Sequence, residues 1–202
     1  VSILGDLLSF YPSLGVAISK ADSQKIAEIL QLVYIIAKDA ETKLPFVRSN
    51  FPIYLFPFIQ RSIKMTETYH IAAAALAIFA ALVQESNPEI IKYLINADFL
   101  PIIRKVLGLQ NVQMQTVAAF ILLKILYDTA ARLSLLSNVD NITIIMKILC
   151  HSFLQLSTNY VPNLADYIMD SLSIILEFPE VKRVFIYVIG DSLSNIEIPT
   201  KY

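Results

Sequence analysis

Few residues in this sequence have the types and spacing that chemistry requires. Cys150 and His151 come nearest to a nucleophile–base pair, but adjacent residues on a helix point about 100° apart, which keeps their side chains from meeting. The second histidine is His70, and neither histidine has another ligand at helical spacing. With one cysteine and two histidines, the chain contains no familiar zinc-binding spacing. The sequence therefore predicts no metal site and no nucleophilic catalysis.

Phosphate-binding loops and carboxylate pairs are the other chemical motifs to consider. The four glycines are scattered, so no glycine-rich loop can cradle a phosphate. Asp39 lies close to Glu41 in sequence, and Asp166 lies four residues before Asp170. Such spacing is common on solvated helices, and no partner groups converge on either pair. We therefore predict that the protein is not an enzyme and needs no cofactor.

A unit of roughly 44 residues recurs along the chain, and its helices must position any functional residues. Its long apolar segments begin at Asp22, Thr66 and Gln110. A repeat of about 40–47 residues with two or three helices indicates an armadillo or HEAT solenoid. We expect an all-α fold, an armadillo-repeat-like right-handed superhelix of about four three-helix repeats, with residues 1–202 as a single domain. Solenoids hold partners on long surfaces, so the repeat predicts binding.

The composition raises the question of a membrane, because apolar residues make up 56% of the chain and charged residues 16%. The longest uncharged apolar run of the second repeat, residues 71–83, falls short of the roughly 18 residues that a span needs. A solenoid's central helices are covered on most sides and become apolar nearly all round, so we expect no membrane span. A net charge of −1 predicts no general affinity for nucleic acid.

Several helix boundaries carry recognisable signals. Asp22 and Ser23 are candidate N-caps of the first long helix, and Thr66 is a candidate for the second. Residues 86–89, Ser-Asn-Pro-Glu, should open a short helix with proline in its first turn. The segment 181–189 is ambiguous by propensity, but we expect a helix because a Pro-Glu pair opens it and its apolar residues follow helical spacing.

Aligning the three long segments by their 44-residue period predicts which residues share one exposed face of the repeats. The aligned rows are Lys25, Tyr69 and Gln113; Glu28, Ala72 and Thr116; and Ile29, Ala73 and Val117. In an armadillo array these third helices line the concave side, and positions three and four apart share a helix face. We expect a groove with Ala72, Ala73 and Val117 as a shallow apolar floor, suited to a guest helix. Alternatively, the alanines only let neighbouring helices pack closely.

Four segments also resemble one known family in their order and spacing: residues 9–13, 51–59, 116–128 and 153–157. The family is the Rcd-one-like (required for cell differentiation), or Caf-forty, family, the armadillo-repeat subunit of the CCR–NOT deadenylase complex. The resemblance extends from about residue 3 to residue 190. The family's N-terminal helices, with their tryptophan-containing segment, have no counterpart here. We therefore expect the full-length protein to contain helices that this chain lacks.

The resemblance implies a non-catalytic adaptor. Such a subunit docks on the NOT scaffold and presents a groove to short helical peptide motifs of RNA-binding or silencing proteins, which promotes mRNA decay and translational repression. It further implies a location in the cytoplasm, including mRNA-processing bodies, and leaves a nuclear location and a homodimer open. No membrane partner is expected.

The resemblance also implies two surfaces. The peptide-binding groove would comprise Tyr69, His70, Ala73, Ala77, Gln113, Thr116 and Val117. The scaffold-binding surface would comprise Asn138, Val139 and Asn141, in a loop where family members read Tyr-Glu-Arg.

Two alternative functions belong to other classes. The first is direct nucleic-acid binding through the groove, which needs positive charge along the third helices. Lys25 and Lys124 are the obvious bases there, and Ala72 replaces a family arginine, so we expect weak RNA binding or none. The second is a generic peptide- or cargo-binding solenoid, a class that usually carries a ladder of tryptophan and asparagine on its groove helices. This chain has no tryptophan.

Overall fold

The computed structural model of this chain describes residues 2–14, 18–156 and 161–194. Within these ranges every regular element is helical: twelve α-helices and three short 3₁₀ turns. This confirms the predicted all-α fold, and the helices pack against their neighbours as in an α-solenoid. The chain divides into two compact units, an N-terminal unit (Val1–Val106) and a C-terminal unit (Leu107–Tyr202). A single domain, the number of repeats and the superhelical hand stay predictions.

The N-terminal unit is built around one apolar helix. Its α-helices are α1 (Ile3–Ser9), α2 (Lys20–Lys38), α3 (Lys43–Arg48), α4 (Phe56–Ser62), α5 (Tyr69–Val83), α6 (Pro88–Asn96) and α7 (Leu100–Leu107), the last ending at the start of the next unit. Both α2 and α4 pack along α5, and α6 contacts α3 and α5. The central helix is therefore α5, which explains why it is apolar on almost every side.

Aromatic packing fixes the far end of α5. Phe79 and Phe99 are stacked with ring centroids 4.3 Å apart, and both are completely buried. Phe56, at the start of α4, lies 5.7 Å from Phe79 and 5.3 Å from Phe99. Burying aromatic rings in mutual contact supplies a large share of core stability. The proline-marked segments at 51–59 and 99–103 therefore contribute the packing partners of the second long helix.

The same helix meets the length and composition criteria for a membrane span. Together with its preceding 3₁₀ turn it forms an eighteen-residue apolar segment, Thr66–Val83. The uncharged run of residues 71–83 is shorter than this helical segment, so the length of that run understated the length of the apolar helix. Because 56% of this segment is buried inside the protein, it has the surroundings of a core helix. Two further helices, Thr129–Leu136 and the following Asp140–Leu154, pass only as a pair bent by 104°.

The C-terminal unit contains the third long helix and its neighbours. Its helices are α8 (Val112–Tyr127), α9 (Thr129–Leu136), α10 (Val139–Leu156), α11 (Pro162–Ile175) and α12 (Pro179–Ser194). The main packing pairs are α8 with α11 and α10 with α12, while α9 contacts α8 and α10. The ambiguous segment 181–189 lies within α12, which confirms that it is helical.

The capping residues differ from those predicted for the first two long helices. Ser19, not Asp22 or Ser23, is the N-cap of α2: its Oγ accepts a hydrogen bond from the Asp22 N–H at 3.0 Å and donates one to Asp22 Oδ2 at 2.8 Å. Asp22 occupies the third helical position, and its carboxylate accepts from the Ser19 hydroxyl, so the two side chains hold each other at the start of the helix. The second prediction is also wrong, because Thr66 begins a 3₁₀ turn ahead of α5 and makes no cap hydrogen bond.

Two other caps place their helices where the sequence indicated. Asn87 Oδ1 accepts from the Glu89 N–H at 2.9 Å and precedes Pro88, which opens α6. Asn111 Oδ1 accepts from the Met114 N–H at 3.0 Å and starts α8. The long helices α2, α5 and α8 therefore all exist, within three residues of the starts that the period predicted.

Candidate functional site

The predicted groove residues of the N-terminal unit lie on one stripe of α5. Tyr69 opens the helix, and His70, Ala73 and Ala77 follow at spacings of three and four, which share a helix face. His70 is exposed, whereas Tyr69, Ala73 and Ala77 are half-buried. These residues therefore belong to the outward stripe of an otherwise buried helix.

The structure corrects the composition of this stripe. Ala72 is completely buried, so it cannot form part of an exposed floor, and that part of the prediction is wrong. Ala74 and Ala80, which the sequence argument did not name, are half-buried at the same face, and Gln84 continues it in the exposed state. The signal for Ala74 was available, since it lies one turn after His70. We call His70, Ala73, Ala74, Ala77 and Ala80 the α5 stripe.

A polar contact borders the α5 stripe. His70 Nε2 lies 2.7 Å from Ser23 Oγ in the first turn of α2, and the direction of this hydrogen bond depends on the imidazole tautomer. The contact joins the stripe to the helix that packs beside it. The stripe thus combines methyl groups, which allow a guest backbone to approach closely, with one polar pair at its edge.

In the C-terminal unit, the predicted residues again share a helix face. Gln113, Thr116 and Val117 lie on α8 at spacings of three and four, and Gln113 is exposed while the other two are half-buried. Thr116 Oγ1 donates to the Val112 carbonyl at 2.7 Å, so its hydroxyl is satisfied within the helix. This row and the α5 stripe lie in different units, and their combination into one groove stays a prediction.

An aromatic pair that sequence reasoning missed extends the α8 row. Phe120, three residues after Val117, is half-buried and lies 5.5 Å from Tyr167 of α11, centroid to centroid. Lys124 Nζ lies 5.6 Å from the Phe120 ring centroid, a cation–π contact. We call Gln113, Thr116, Val117, Phe120 and Lys124 the α8 stripe.

Acidic side chains accompany the aromatic pair. Asp166 and Asp170 flank Tyr167 on α11, and both are exposed. They are four residues apart and therefore lie on the same face of the helix. The α11 segment is thus acidic beside its half-buried tyrosine, and its negative charge repels the negative phosphates of a nucleic acid.

The predicted scaffold-binding residues lie at the start of α10. Asn138 is exposed, and its Oδ1 accepts from the Asp140 N–H at 2.9 Å and from the Asn141 N–H at 3.4 Å. This amide therefore helps to begin the helix. Asn141 is exposed, and the side chain of Val139 lies outside the described residues. Their contact with a scaffold stays a prediction.

The local environment of Cys150 differs from that of a reactive thiol. Its side chain is buried in α10, and burial raises the pKa of the thiol. Nucleophilic cysteines have a lowered pKa, because the thiolate is the reactive form. His151 is exposed on the next position of the helix. Across the described ranges, no three His, Cys, Asp or Glu side chains are grouped so that they could hold a metal ion.

Comparison with known proteins gives a family match along nearly the whole chain. Residues 1–200 match the model of the family described as "Cell differentiation family, Rcd1-like". The chain is 30% identical over 128 residues to "Protein CAF40" of Saccharomyces cerevisiae, an alignment that covers 63% of this chain and 34% of that protein. It is 21% identical over 195 residues to "Cell differentiation protein rcd1" of Schizosaccharomyces pombe, covering 96% of this chain and 69% of that protein. The aligned part thus spans about a third of the first relative.

A solved structure supports the fold independently. The chain superposes with a TM-score of 0.64 on the crystal structure of an engineered protein from the Northeast Structural Genomics Consortium, at 16% sequence identity. The superposition covers 98% of this chain and 73% of the other. At this identity the likeness concerns the fold alone.

Proposed function

Because the chain belongs to the Rcd1-like cell differentiation family, we propose that it is a non-catalytic adaptor subunit of the CCR–NOT mRNA deadenylase complex. The observation that carries the proposal is the family match over residues 1–200. In this role the chain docks on the NOT scaffold and presents helical surfaces to peptide motifs of mRNA regulators. The recruited deadenylases then shorten the poly(A) tail, which promotes mRNA decay and translational repression in the cytoplasm, including mRNA-processing bodies.

The α5 stripe suits a helical guest. Helices pack at interaxial distances of roughly 8–10 Å, with the shorter distances where the contacting side chains are small. The half-buried Ala73 and Ala77 present only methyl groups, so a guest can approach α5 closely. The contact of His70 with Ser23 at the edge supplies polar atoms for its border. This combination supports recognition of an amphipathic helix by its apolar face.

The α8 stripe offers larger apolar contacts. Val117 and Phe120 are half-buried one turn apart, and Tyr167 packs against Phe120 from α11. Half-buried aromatic rings provide contact area at a low entropic cost, which is why they are enriched at binding sites. Apolar side chains of a peptide motif would bury Val117 and Phe120 further.

The charges favour a protein partner over direct RNA binding. Affinity for RNA comes largely from Lys and Arg side chains that neutralise phosphates. On the α8 stripe Lys124 is half-buried above Phe120, while Asp166 and Asp170 stand exposed on α11. The chain as a whole has a net charge of −1. These features support the adaptor role, in which the RNA-binding protein and not this chain contacts the messenger.

Co-expression with the helical middle segment of a NOT scaffold, followed by gel filtration, tests the proposal. We expect one complex that survives dilution to micromolar concentration. The double variant Asn138→Ala with Asn141→Ala tests the predicted scaffold-binding surface separately from the adaptor assignment: loss of the complex by a folded variant would support a scaffold contact at the start of α10. If the unaltered chain and the scaffold segment elute separately, the adaptor assignment is wrong.

A further inference from the structure

Ser23 and His70 form the one hydrogen bond that joins side chains of α2 and α5 among the described residues, with Oγ and Nε2 2.7 Å apart. Ser23 lies in the first turn of α2, where its N–H donates to the Ser19 carbonyl at 2.9 Å. His70 is the second residue of α5, and the two helices pack against each other. The imidazole ring is therefore held by a neighbouring helix as well as by its own, although it is exposed.

The direction of this hydrogen bond follows from the donors and acceptors of the two groups. A neutral imidazole has one N–H donor and one acceptor nitrogen. Across the residues that the structure describes, the Ser23 hydroxyl has no hydrogen-bond partner other than Nε2 of His70. If the hydroxyl donates to Nε2, its proton is used within the protein, whereas in the opposite direction that proton would be left to solvent. Donation to Nε2 places the ring proton on Nδ1.

Nδ1 of His70 is then a donor at one end of the α5 stripe. It has no hydrogen-bond partner in the described part of the chain, and Ala73 and Ala77 follow the ring on the same helix face. A guest that covered the ring without accepting from it would leave this N–H unpaired, which costs binding free energy. The α5 stripe therefore requires an acceptor atom of a guest at this end.

The charges around His70 favour a neutral oxygen as that acceptor. Glu67, three residues before His70, is exposed, and Asp22 directly precedes Ser23. These carboxylates repel a guest carboxylate, and Lys25 supplies one positive charge against the two negative ones. A guest helix has neutral oxygens in two places, the amide side chains of Asn and Gln and the unpaired carbonyls of its last turn.

We propose that Ser23 is a positioning residue for His70, and that His70 Nδ1–H donates to a neutral carbonyl oxygen of the guest helix on the α5 stripe. The inference rests on the proposed function, since it specifies what this stripe recognises besides an apolar helix face. The methyl groups of Ala73 and Ala77 offer contact area without direction. A hydrogen bond at one end of the stripe sets where along it the guest lies, as polar groups do at other interfaces.

Nitrogen NMR of the histidine-labelled chain tests the tautomer without any guest. The chain has two histidines, so His70→Phe identifies the signals of His151. At mildly alkaline pH, where imidazole is neutral, we expect the proton of His70 on Nδ1. Free histidine in water prefers the proton on Nε2, so Ser23→Ala should move the ring toward that tautomer. Ser23→Thr keeps the hydroxyl and should leave the ring as in the wild type.

Guest binding is measured with peptides selected by the wild-type chain from a displayed library of helical peptides and lost on Ala77→Trp. Fluorescence anisotropy should show roughly tenfold weaker binding to His70→Phe and to Ser23→Ala, with recovery in Ser23→Thr. The double variant Ser23→Ala with His70→Phe should bind no more weakly than His70→Phe alone, because Ser23 acts through the ring. Ser134→Ala changes an exposed serine of α9 and should bind as the wild type does.

Changes in the peptide identify the acceptor. Replacing an Asn or Gln by Ala removes an amide oxygen, whereas adding one helical turn at the C-terminus pairs the carbonyls of the former last turn. One of these changes should weaken binding to the wild type and leave binding to His70→Phe unaltered. Circular dichroism shows that each protein variant remains folded.

Several results would overturn the inference and leave the proposed function standing. They are a ring proton on Nε2 in the wild type, peptides that bind His70→Phe as tightly as the wild type, and a Ser23→Ala effect that persists in His70→Phe. An acceptor that proves to be an Asp or Glu carboxylate would contradict the neutral partner. Recovery of no peptide that Ala77→Trp excludes would instead contradict the α5 stripe as a guest site, and with it both proposals.

Discussion

At the scale of single residues, the apolar members of the α5 and α8 stripes differ from the core by being only half-buried. Val117 is half-buried, so a charged side chain there can turn toward solvent in the free protein. A guest helix would remove that solvent. Substitutions in these stripes should therefore weaken the binding of a guest helix more than they change the stability of the free protein.

Val117→Glu should abolish binding of helical peptide motifs while the protein remains folded. The introduced carboxylate would lie unpaired beneath the guest, at a cost of roughly a few kcal/mol. Ala77→Trp should block the α5 stripe sterically. Gln113→Glu adds the same charge at an exposed position of the α8 stripe and is the matched control, with a smaller effect. Peptide titration and thermal unfolding measure both properties. Unfolding of Val117→Glu would show that Val117 belongs to the core.

A surface ion pair gives a pH-dependent prediction. Arg48 Nε and Nη2 donate to the two carboxylate oxygens of Glu89 at 2.7 and 2.9 Å. These hydrogen bonds, with a smaller contribution from the charge of Arg48, lower the pKa of the Glu89 carboxyl below its ordinary value. The stabilisation is therefore present above the ordinary glutamate pKa and is lost as the pH falls through the lowered value.

Glu89→Gln should consequently lower the unfolding temperature at neutral pH, and the difference from wild type should shrink as the pH falls through the lowered pKa of Glu89. The effect should be small, because both side chains are largely exposed and solvent screens the pair. Glu177→Gln, an exposed glutamate for which no ion pair is described, is the control. Thermal unfolding followed by circular dichroism provides the measurement. A difference that stays constant across this pH range would contradict the role of the ion pair.

At the scale of the helices, the long elements were predictable and their rotation was not. The period revealed α2, α5 and α8 because each contains an uninterrupted apolar segment of helical length. In α5, however, apolar residues occur on every side, so the sequence has no amphipathic signal to orient the helix. Burial of Ala72 and partial exposure of Ala73 depend on how α2 and α4 pack along α5. That information lies in other segments of the chain.

The predicted N-cap residues of α2 and α5 were wrong for a local reason. Ser19, Asp22 and Ser23 all have side chains that can cap a helix, and the pair of hydrogen bonds between Ser19 and Asp22 selects among them. This pair moves the start of α2 ahead of the predicted cap. In the same way, the 3₁₀ turn at Thr66–Thr68 takes Thr66 away from the first turn of α5. Thr68 Oγ1 instead donates to the Ser62 carbonyl at 2.8 Å.

Ser19→Ala should lower the free energy of unfolding by about 1 kcal/mol, because the substitution leaves the Asp22 N–H without its side-chain acceptor. Thr66→Ala is the matched comparison: it removes a hydroxyl that makes no cap hydrogen bond and should change stability by less than about 0.5 kcal/mol. Urea denaturation of the two variants distinguishes them. Equal effects would show that the reciprocal cap at Ser19 contributes little.

At the scale of the whole molecule, the sequence predicted a helical binding protein more securely than it predicted a surface. Packing between distant segments determines which side of α5 is exposed and how the chain divides into two compact units. The stripes on α5 and α8 were located by period, while Phe120 and Tyr167 emerged only when α11 was placed beside α8. The composition of a binding surface therefore depends on the folded chain and cannot be read from one segment alone.

The charge of the whole molecule predicts that direct RNA binding is weak. Each phosphate contact requires a positioned Lys or Arg, and the chain has 16 basic against 17 acidic residues. Fluorescence anisotropy with poly(G) and with mixed-sequence RNA at about 150 mM salt should give dissociation constants in the micromolar range or weaker. Submicromolar affinity would contradict this expectation and favour the nucleic-acid-binding alternative.

We propose that this chain links messengers to a deadenylase and has no deadenylase activity of its own. The most direct measurement tethers the chain to a reporter mRNA through a fused hairpin-binding domain and follows the length of the poly(A) tail. We expect the tail to shorten before the body of the message decays, and inactivation of the catalytic deadenylase subunits to abolish the shortening. Tails of unchanged length, or shortening that persists without active deadenylase, would contradict it.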